Sequence, residues 1–129
     1  MNMYKSLGRR KVVLVAEDNS TNVMILVKML EKLGCQALVV SDGVEAVDAL
    51  RHADPDVILM DINMPRMDGI AAAREIRRLG LAPRAPIIAV TAKPMPSDLR
   101  ELAELNIDDV VTKPIRLAHL SEALDKWAK

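Results

Sequence analysis

The sequence predicts an α/β fold: five consecutive strand–helix units wound into one five-stranded parallel sheet with helices on both faces. Three observations carry this. Five short runs rich in Val, Ile and Leu recur along the chain, and segments with helical spacing alternate with them. The third and fourth runs are continuously apolar rather than alternating with polar residues, as strands buried on both faces require. The links are short and built from Gly, Pro, Asp and Ser.

Lys11–Ala16 is apolar and β-branched, a buried strand. Asn19 and Ser20 supply N-cap chemistry for a helix over about Thr21–Leu33, which Gly34 stops. Gln36–Val40 reads as the second strand. Ser41-Asp42-Gly43 is a turn and cap before a helix reaching about Arg51. Asp54-Pro55-Asp56 breaks the chain, and Val57–Met60 follows as the third strand. Met64–Gly69 is a loop, and the next helix covers about Ile70–Arg78, with Gly80 and Pro83 beyond its end. Ile87–Val90 is the fourth strand. Two prolines keep Lys93-Pro94-Met95-Pro96 out of regular helix, and Ser97 is expected to cap a short helix ending near Leu105. Val110–Thr112 is a short fifth strand. The last helix runs from about Leu117 to the end, with Leu117, Leu120, Leu124 and Trp127 as its core stripe.

A chain of 129 residues is one domain with room for a real core, expected over residues 11–129 with residues 1–10 as a lead-in. With no Phe, one Trp and one Tyr, that core is aliphatic and Met-rich. Eighteen basic residues balance eighteen acidic ones, which argues against direct nucleic-acid binding. The local basic run Gly8-Arg9-Arg10-Lys11 reads as a solvated approach to the first strand. The single cysteine, Cys35, reads as a buried structural thiol and fits a reducing cytoplasm. No apolar run approaches the roughly 18 residues that span a membrane, and residues 1–10 lack a signal-peptide core. His52 and His119 are isolated and expected at the surface.

Chemistry collects at the strand ends. The first run ends in Glu17-Asp18, the third in Asp61, the fourth in Thr91, and the fifth in Lys113-Pro114. A parallel sheet gathers these ends along one edge, where side chains distant in sequence meet in one crevice. Three carboxylates repel one another, and a hard divalent cation such as Mg²⁺ removes that cost. Each residue taken singly has a plainer reading: Glu17-Asp18 as helix caps, Asp61 as a turn residue. Those readings leave Lys113 unexplained, whereas a buried Asp61 needs a cationic partner. Pro114 restricts the lysine to extended backbone and permits a cis bond.

These residues carry a resemblance. Glu17-Asp18-Asn19, Asp61 through Gly69, Val90-Thr91-Ala92 and Lys113-Pro114 resemble the receiver domain of response regulators in two-component signalling, over essentially all of residues 11–129. Ala16–Gly34 and Asp108–Ile115 look most like receivers attached to hybrid histidine kinases. The resemblance implies a flavodoxin-like sheet of strand order 2-1-3-4-5. It implies that Asp61 accepts a phosphoryl group from phosphohistidine. Mg²⁺ would be held by Glu17, Asp18, Asp61 and the backbone carbonyl of Asn63. Lys113 and Thr91 would contact the phosphoryl oxygens. The partner would be a histidine kinase or a histidine phosphotransfer protein. The only chemistry catalysed would be the domain's own phosphorylation and slow dephosphorylation. Homodimer formation stays open.

The sequence departs from the family at one switch. Receivers commonly place an aromatic residue three positions before the lysine; here Val110 stands there, and it cannot make the same rotameric swing. Asn106 replaces a frequent Gly, at little cost because Asn tolerates a left-handed backbone. Lys93 either overhangs the site or is a solvated loop residue. Met24, Ile25 and Met29 add apolar surface beside the core stripe Val23, Leu26, Leu30 and Leu33 of the first long helix. They form either a docking face for a helical partner or simply a wide core face. Two other functions compete. A binding or dimerisation module without phosphorylation is favoured by Val110 and opposed by the intact acidic, Thr and Lys set. A Mg²⁺-dependent topoisomerase–primase-type nucleotidyl transferase expects a second aspartate where Asn63 stands, and an aspartate-nucleophile phosphatase expects an Asp-x-Asp near the first strand, which Glu17-Asp18-Asn19 is not.

Overall fold

The computed structural model describes residues 10–128. Tyr4, the start of the basic run and most of the expected lead-in lie outside them. The strands are β1 (Lys11–Ala16), β2 (Cys35–Val40), β3 (Val57–Asp61), β4 (Ile87–Thr91) and β5 (Asp109–Thr112). The helices are α1 (Ser20–Lys32), α2 (Gly43–Ala49), α3 (Gly69–Leu79), α4 (Pro96–Glu104) and α5 (Leu117–Trp127). All strand pairs are parallel, in the order β2-β1-β3-β4-β5. The chain winds outward from β1 in both directions, so the crevice opens between the carboxyl ends of β1 and β3.

Alternation along the strands splits the interior into two layers. Val13 and Val15 pack with Leu26, Leu30, Leu120 and Leu124 under α1 and α5. Leu14, Ile58 and Met60 face the other way, onto Ala72, Ala73 and Ile76 of α3. Every residue of β3 and β4 is buried. Each fully buried Leu or Ile contributes about 1.5–3 kcal/mol, so the fold needs no aromatic centre. The Trp127 indole N–H donates to Asp109 Oδ2 at 3.0 Å, which ties α5 to β5.

Side-chain caps explain the starts of α1, α2 and α3. Asn19, Asp42 and Asp68 accept backbone N–H bonds from Asn22, Glu45 and Ala71 at 3.0, 2.8 and 2.8 Å. Such caps contribute on the order of 1 kcal/mol each. Ser97 does not cap α4. The N-cap is Met95, which offers no side-chain acceptor, and Pro96 opens the helix. Proline lacks an N–H and has its φ preset, which suits the first helical position. Pro96 therefore starts α4 rather than merely interrupting it. Leu117 also departs from expectation: it is exposed in the first turn of α5, and Ala123 joins Leu120 and Leu124 in the core instead. α2 ends at Ala49, two residues short of the predicted limit. Asn106 has φ +55°, the left-handed conformation its residue type tolerates.

Cys35 is buried, and burial, with Asp56 adding to it, pushes its thiol above the ordinary value. That makes it an inert packing residue. His52 and His119 are exposed. Among the described residues no helix is long and apolar enough to cross a membrane.

Candidate functional site

The register places the site. Ala16 pairs with Met60, so Glu17 and Asp61 emerge side by side at the ends of β1 and β3. Asp61 pairs with Val90, and Thr91 follows one residue further along β4. Thr91 pairs with Thr112, and its carbonyl accepts the Lys113 N–H at 2.8 Å. Four strands thus deliver Glu17, Asp18, Asp61, Thr91 and Lys113 to one edge.

Lys113 is the centre of charge. Its Nζ lies 2.7 Å from Glu17 Oε1 and 2.9 Å from Asp61 Oδ2, and the Lys113–Pro114 bond is cis. Glu17 and Asp61 are buried, whereas Asp18 is exposed. Burial pulls the Lys113 ammonium down, but its bonds to Asp61 and Glu17 outweigh burial and raise it above the ordinary lysine value. Both carboxylates use their remaining capacity locally. Glu17 Oε2 accepts the Asn19 N–H at 3.1 Å, and Asp61 Oδ1 accepts the Asn63 N–H at 3.0 Å. Thr91 is buried, and its Oγ1 accepts the Lys93 N–H at 3.3 Å; the Lys93 side chain is exposed.

Glu17, Asp18 and Asp61 each offer a carboxylate oxygen, and these lie within 4.8 Å of one another. Three carboxylates against one ammonium leave an excess of two negative charges. An all-oxygen donor set with that excess suits a hard divalent cation.

Two glycines fix the geometry, and neither stood out beyond its motif in the sequence. A Cβ at Gly69 would overlap the Asp61 carbonyl oxygen, and one at Gly43 would overlap the Met67 carbonyl oxygen. The first contact seats α3 directly beneath Asp61. The second brings the loop after β3 against α2. There Asp42, buried, accepts a bond from Arg66 Nε at 2.7 Å. No periodicity in the sequence pointed to that pair. The Arg66 guanidinium holds Asp42 below the usual carboxylate range. The stabilisation from this lowered pKa is therefore present above the ordinary carboxylate value and lost as pH falls through the lowered one.

The other predicted positions separate. Val110 is half-buried against Ile62, Ile70, Ala89 and Leu102, with Ala89 as its register partner. Met24 and Ile25 are 54% and 45% exposed. Met29 is half-buried and packs against the core beneath α1, the wide-core-face alternative for that residue. Its place in the helix turns it toward the sheet, one residue before buried Leu30.

The sequence profile of the response regulator receiver domain matches residues 13–125. The chain is a receiver domain. It is 38% identical over 126 residues, 95% of its length, to two-component system protein A of Emericella nidulans, and spans 18% of that protein. It is 36% identical over 123 residues, 93% of its length, to sensor protein GacS of Pseudomonas syringae pv. syringae, and spans 14% of it. The receiver domain thus corresponds to less than a fifth of these curated relatives. Among solved structures, it superposes with TM-score 0.85 and 35% identity on the receiver domain of sensor histidine kinase PA1611 from Pseudomonas aeruginosa. The match covers 93% of this chain and 98% of that one, and that receiver carries a magnesium ion coordinated in its active-site cleft. The receiver domain of a signal transduction histidine kinase from Syntrophus aciditrophicus gives TM-score 0.83 at 32% identity, covering 92% and 89% of the two chains. The expected strand order and two-component signalling role hold.

Proposed function

We propose that residues 11–129 accept a phosphoryl group on Asp61 from the phosphohistidine of a histidine kinase or a histidine phosphotransfer protein, with Mg²⁺ bound. The observation that carries this reading is Lys113 bridging Asp61 and Glu17 beside a cluster of three carboxylates. In the transfer, an Asp61 carboxylate oxygen attacks phosphorus as the bond from phosphorus to the imidazole nitrogen breaks, and the imidazole leaves. Asp61 Oδ1 is oriented by the Asn63 N–H, which leaves Oδ2 as the oxygen drawn toward Lys113. The Lys113 ammonium neutralises charge on the phosphoryl oxygens. The Thr91 hydroxyl, at the end of the neighbouring strand, donates to one of them. Glu17, Asp18, Asp61 and the Asn63 carbonyl would hold Mg²⁺, which supplies charge neutralisation for the transferring group when bound. Positioning and charge account for most of phosphoryl-transfer catalysis. The domain then acts on no external substrate beyond its phosphodonor. A single buried thiol and a phosphohistidine donor support a cytoplasmic setting.

Val110 supports onward relay of the phosphoryl group over a large output switch, because valine has no aromatic ring to swing inward. Docking falls to the surface beside the site. Ile25 and Pro114 line a groove of about 90 Å³ that also includes Glu17 and Lys113, and Met24 is exposed on the same helix. An apolar helix seated there brings a donor histidine to Asp61. Ile25→Glu is expected to slow transfer from a phosphorylated partner about tenfold or more while leaving labelling by acetyl phosphate unchanged. Equal transfer rates from the partner would remove this face from the reading.

Intact mass after incubation with Mg²⁺ and acetyl phosphate, or with a phosphorylated histidine kinase, tests phosphorylation. The wild type gains one phosphoryl group, and Asp61→Asn gains none. An Asp61→Asn protein labelled like the wild type would overturn the assignment of the acceptor.

A further inference from the structure

The loop joining β3 to α3 carries Asn63, whose carbonyl is a proposed cation ligand. Its two ends are held by the sheet: the Asn63 N–H donates to Asp61 Oδ1 at 3.0 Å, and the Gly69 N–H to the Ile62 carbonyl at 3.1 Å. Its middle leans on α2 instead. The Met67 carbonyl accepts the Gly43 N–H at 2.9 Å, and Arg66 Nε donates to Asp42 Oδ2 at 2.7 Å. Arg66 Nη2 also lies 3.9 Å from Glu45 Oε2.

Asp42 is a fixed anchor. It is buried, and its other oxygen caps α2 through the Glu45 N–H at 2.8 Å. Arg66 sits at φ +62°, a conformation disfavoured for any residue with a side chain. Such backbone persists where the surroundings over-determine it, and it clusters at functional sites.

We infer that Arg66 is a positioning residue: by clamping the loop to Asp42, it holds the Asn63 carbonyl where a divalent cation on Glu17, Asp18 and Asp61 meets it. The inference rests on the cation-binding reading above. Charge and position predict opposite signs here. Arg66 brings positive charge to the loop that carries a cation ligand, so by charge alone its loss tightens cation binding. By position, its loss weakens binding.

Mn²⁺ serves as the probe, titrated into the full chain and followed by the paramagnetic resonance of the free ion, with thermal unfolding measured in parallel. Arg66→Gln is expected to weaken Mn²⁺ binding about tenfold, the scale seen when a group that orients a metal ligand is removed. Arg66→Lys recovers part of the loss, because an ammonium reaches Asp42 without also facing Glu45. Asp42→Asn keeps a capping side chain and reproduces the weakening. The double variant is no weaker than either single one, as one shared contact requires. Arg66→Gly relieves the left-handed backbone yet frees the loop, so it weakens Mn²⁺ binding without a matching loss of thermal stability. A folded Arg66→Gln or Arg66→Gly protein that binds Mn²⁺ as tightly as the wild type, or more tightly, overturns the inference. A wild type that binds no Mn²⁺ overturns the cation reading itself, and this inference with it.

Discussion

Lys113→Met is expected to slow phosphorylation by acetyl phosphate at least about a hundredfold, and to destabilise the Mg²⁺-free protein by roughly 3–5 kcal/mol. The two effects have one cause. Lys113 Nζ is the only cation bonded to the buried carboxylates of Glu17 and Asp61 among the described residues. Methionine keeps the apolar stem and deletes the charge, which leaves two buried carboxylates facing each other with Asp18 close by. A divalent cation supplies positive charge at the same carboxylates, so saturating Mg²⁺ should stabilise the variant more than it stabilises the wild type. Ligand at about a hundredfold over its dissociation constant contributes about 2.7 kcal/mol. Urea unfolding of both proteins, with Mg²⁺ and with chelator, measures this. Equal Mg²⁺ stabilisation of the two would separate Lys113 from the cation site. The pH dependence has a defined sign. Lys113 is raised in the folded state, so its contribution is complete at neutral pH, below its unfolded value. The wild type loses it only in the alkaline range, as pH rises through the raised value. The variant should lack that alkaline loss.

The sheet and the site were legible because both obey simple rules. Continuous apolar runs such as Val57–Met60 mark strands buried on both faces, and parallel order places Glu17, Asp61, Thr91 and Lys113 on one edge without further information. Charge logic then pairs Lys113 with Asp61. What the sequence hid depends on side-chain reach and on distances between loops. Arg66 meets Asp42 across 24 residues through a left-handed backbone that its residue type disfavours. Pro96 reads as a helix breaker from sequence, because composition does not say which side of a proline the helix lies on. For Met29 the sequence leaves docking face and core face both open, because a helix with apolar residues at Val23, Met24, Ile25, Leu26, Met29 and Leu30 has no single face by spacing alone. Packing under the sheet separates Met29, which is half-buried against the core, from Met24 and Ile25, which are exposed.

Gly69→Ala is expected to cost about 2–4 kcal/mol, although helix propensity argues the other way. Gly69 opens α3, and its φ is not left-handed, so alanine fits the backbone and would gain up to about 1 kcal/mol from propensity. The obstacle is space. The added methyl overlaps the Asp61 carbonyl oxygen and crowds the Ile62 Cα at 2.7 Å. Both are backbone atoms held by the Gly69 N–H bond to Ile62 and the Ile62 N–H bond to Val90, each 3.1 Å. Relief requires α3 to back away or the end of β3 to shift, and overpacking of this kind typically costs 1–3 kcal/mol or more. Because the displaced backbone belongs to Asp61, the folded fraction of the variant should also phosphorylate more slowly. Gly80→Ala is the control: φ there is +66°, and no atom lies within 4 Å of the added Cβ, so its cost is backbone strain alone, about 1 kcal/mol. Urea midpoints and initial rates of phosphoryl incorporation for the two variants separate the effects. Gly80→Ala should lose some stability and keep its rate, and Gly69→Ala should lose both. A Gly69→Ala protein as stable as the wild type would show that α3 can retreat without moving Asp61, and would end the claim that this contact sets the acceptor's position.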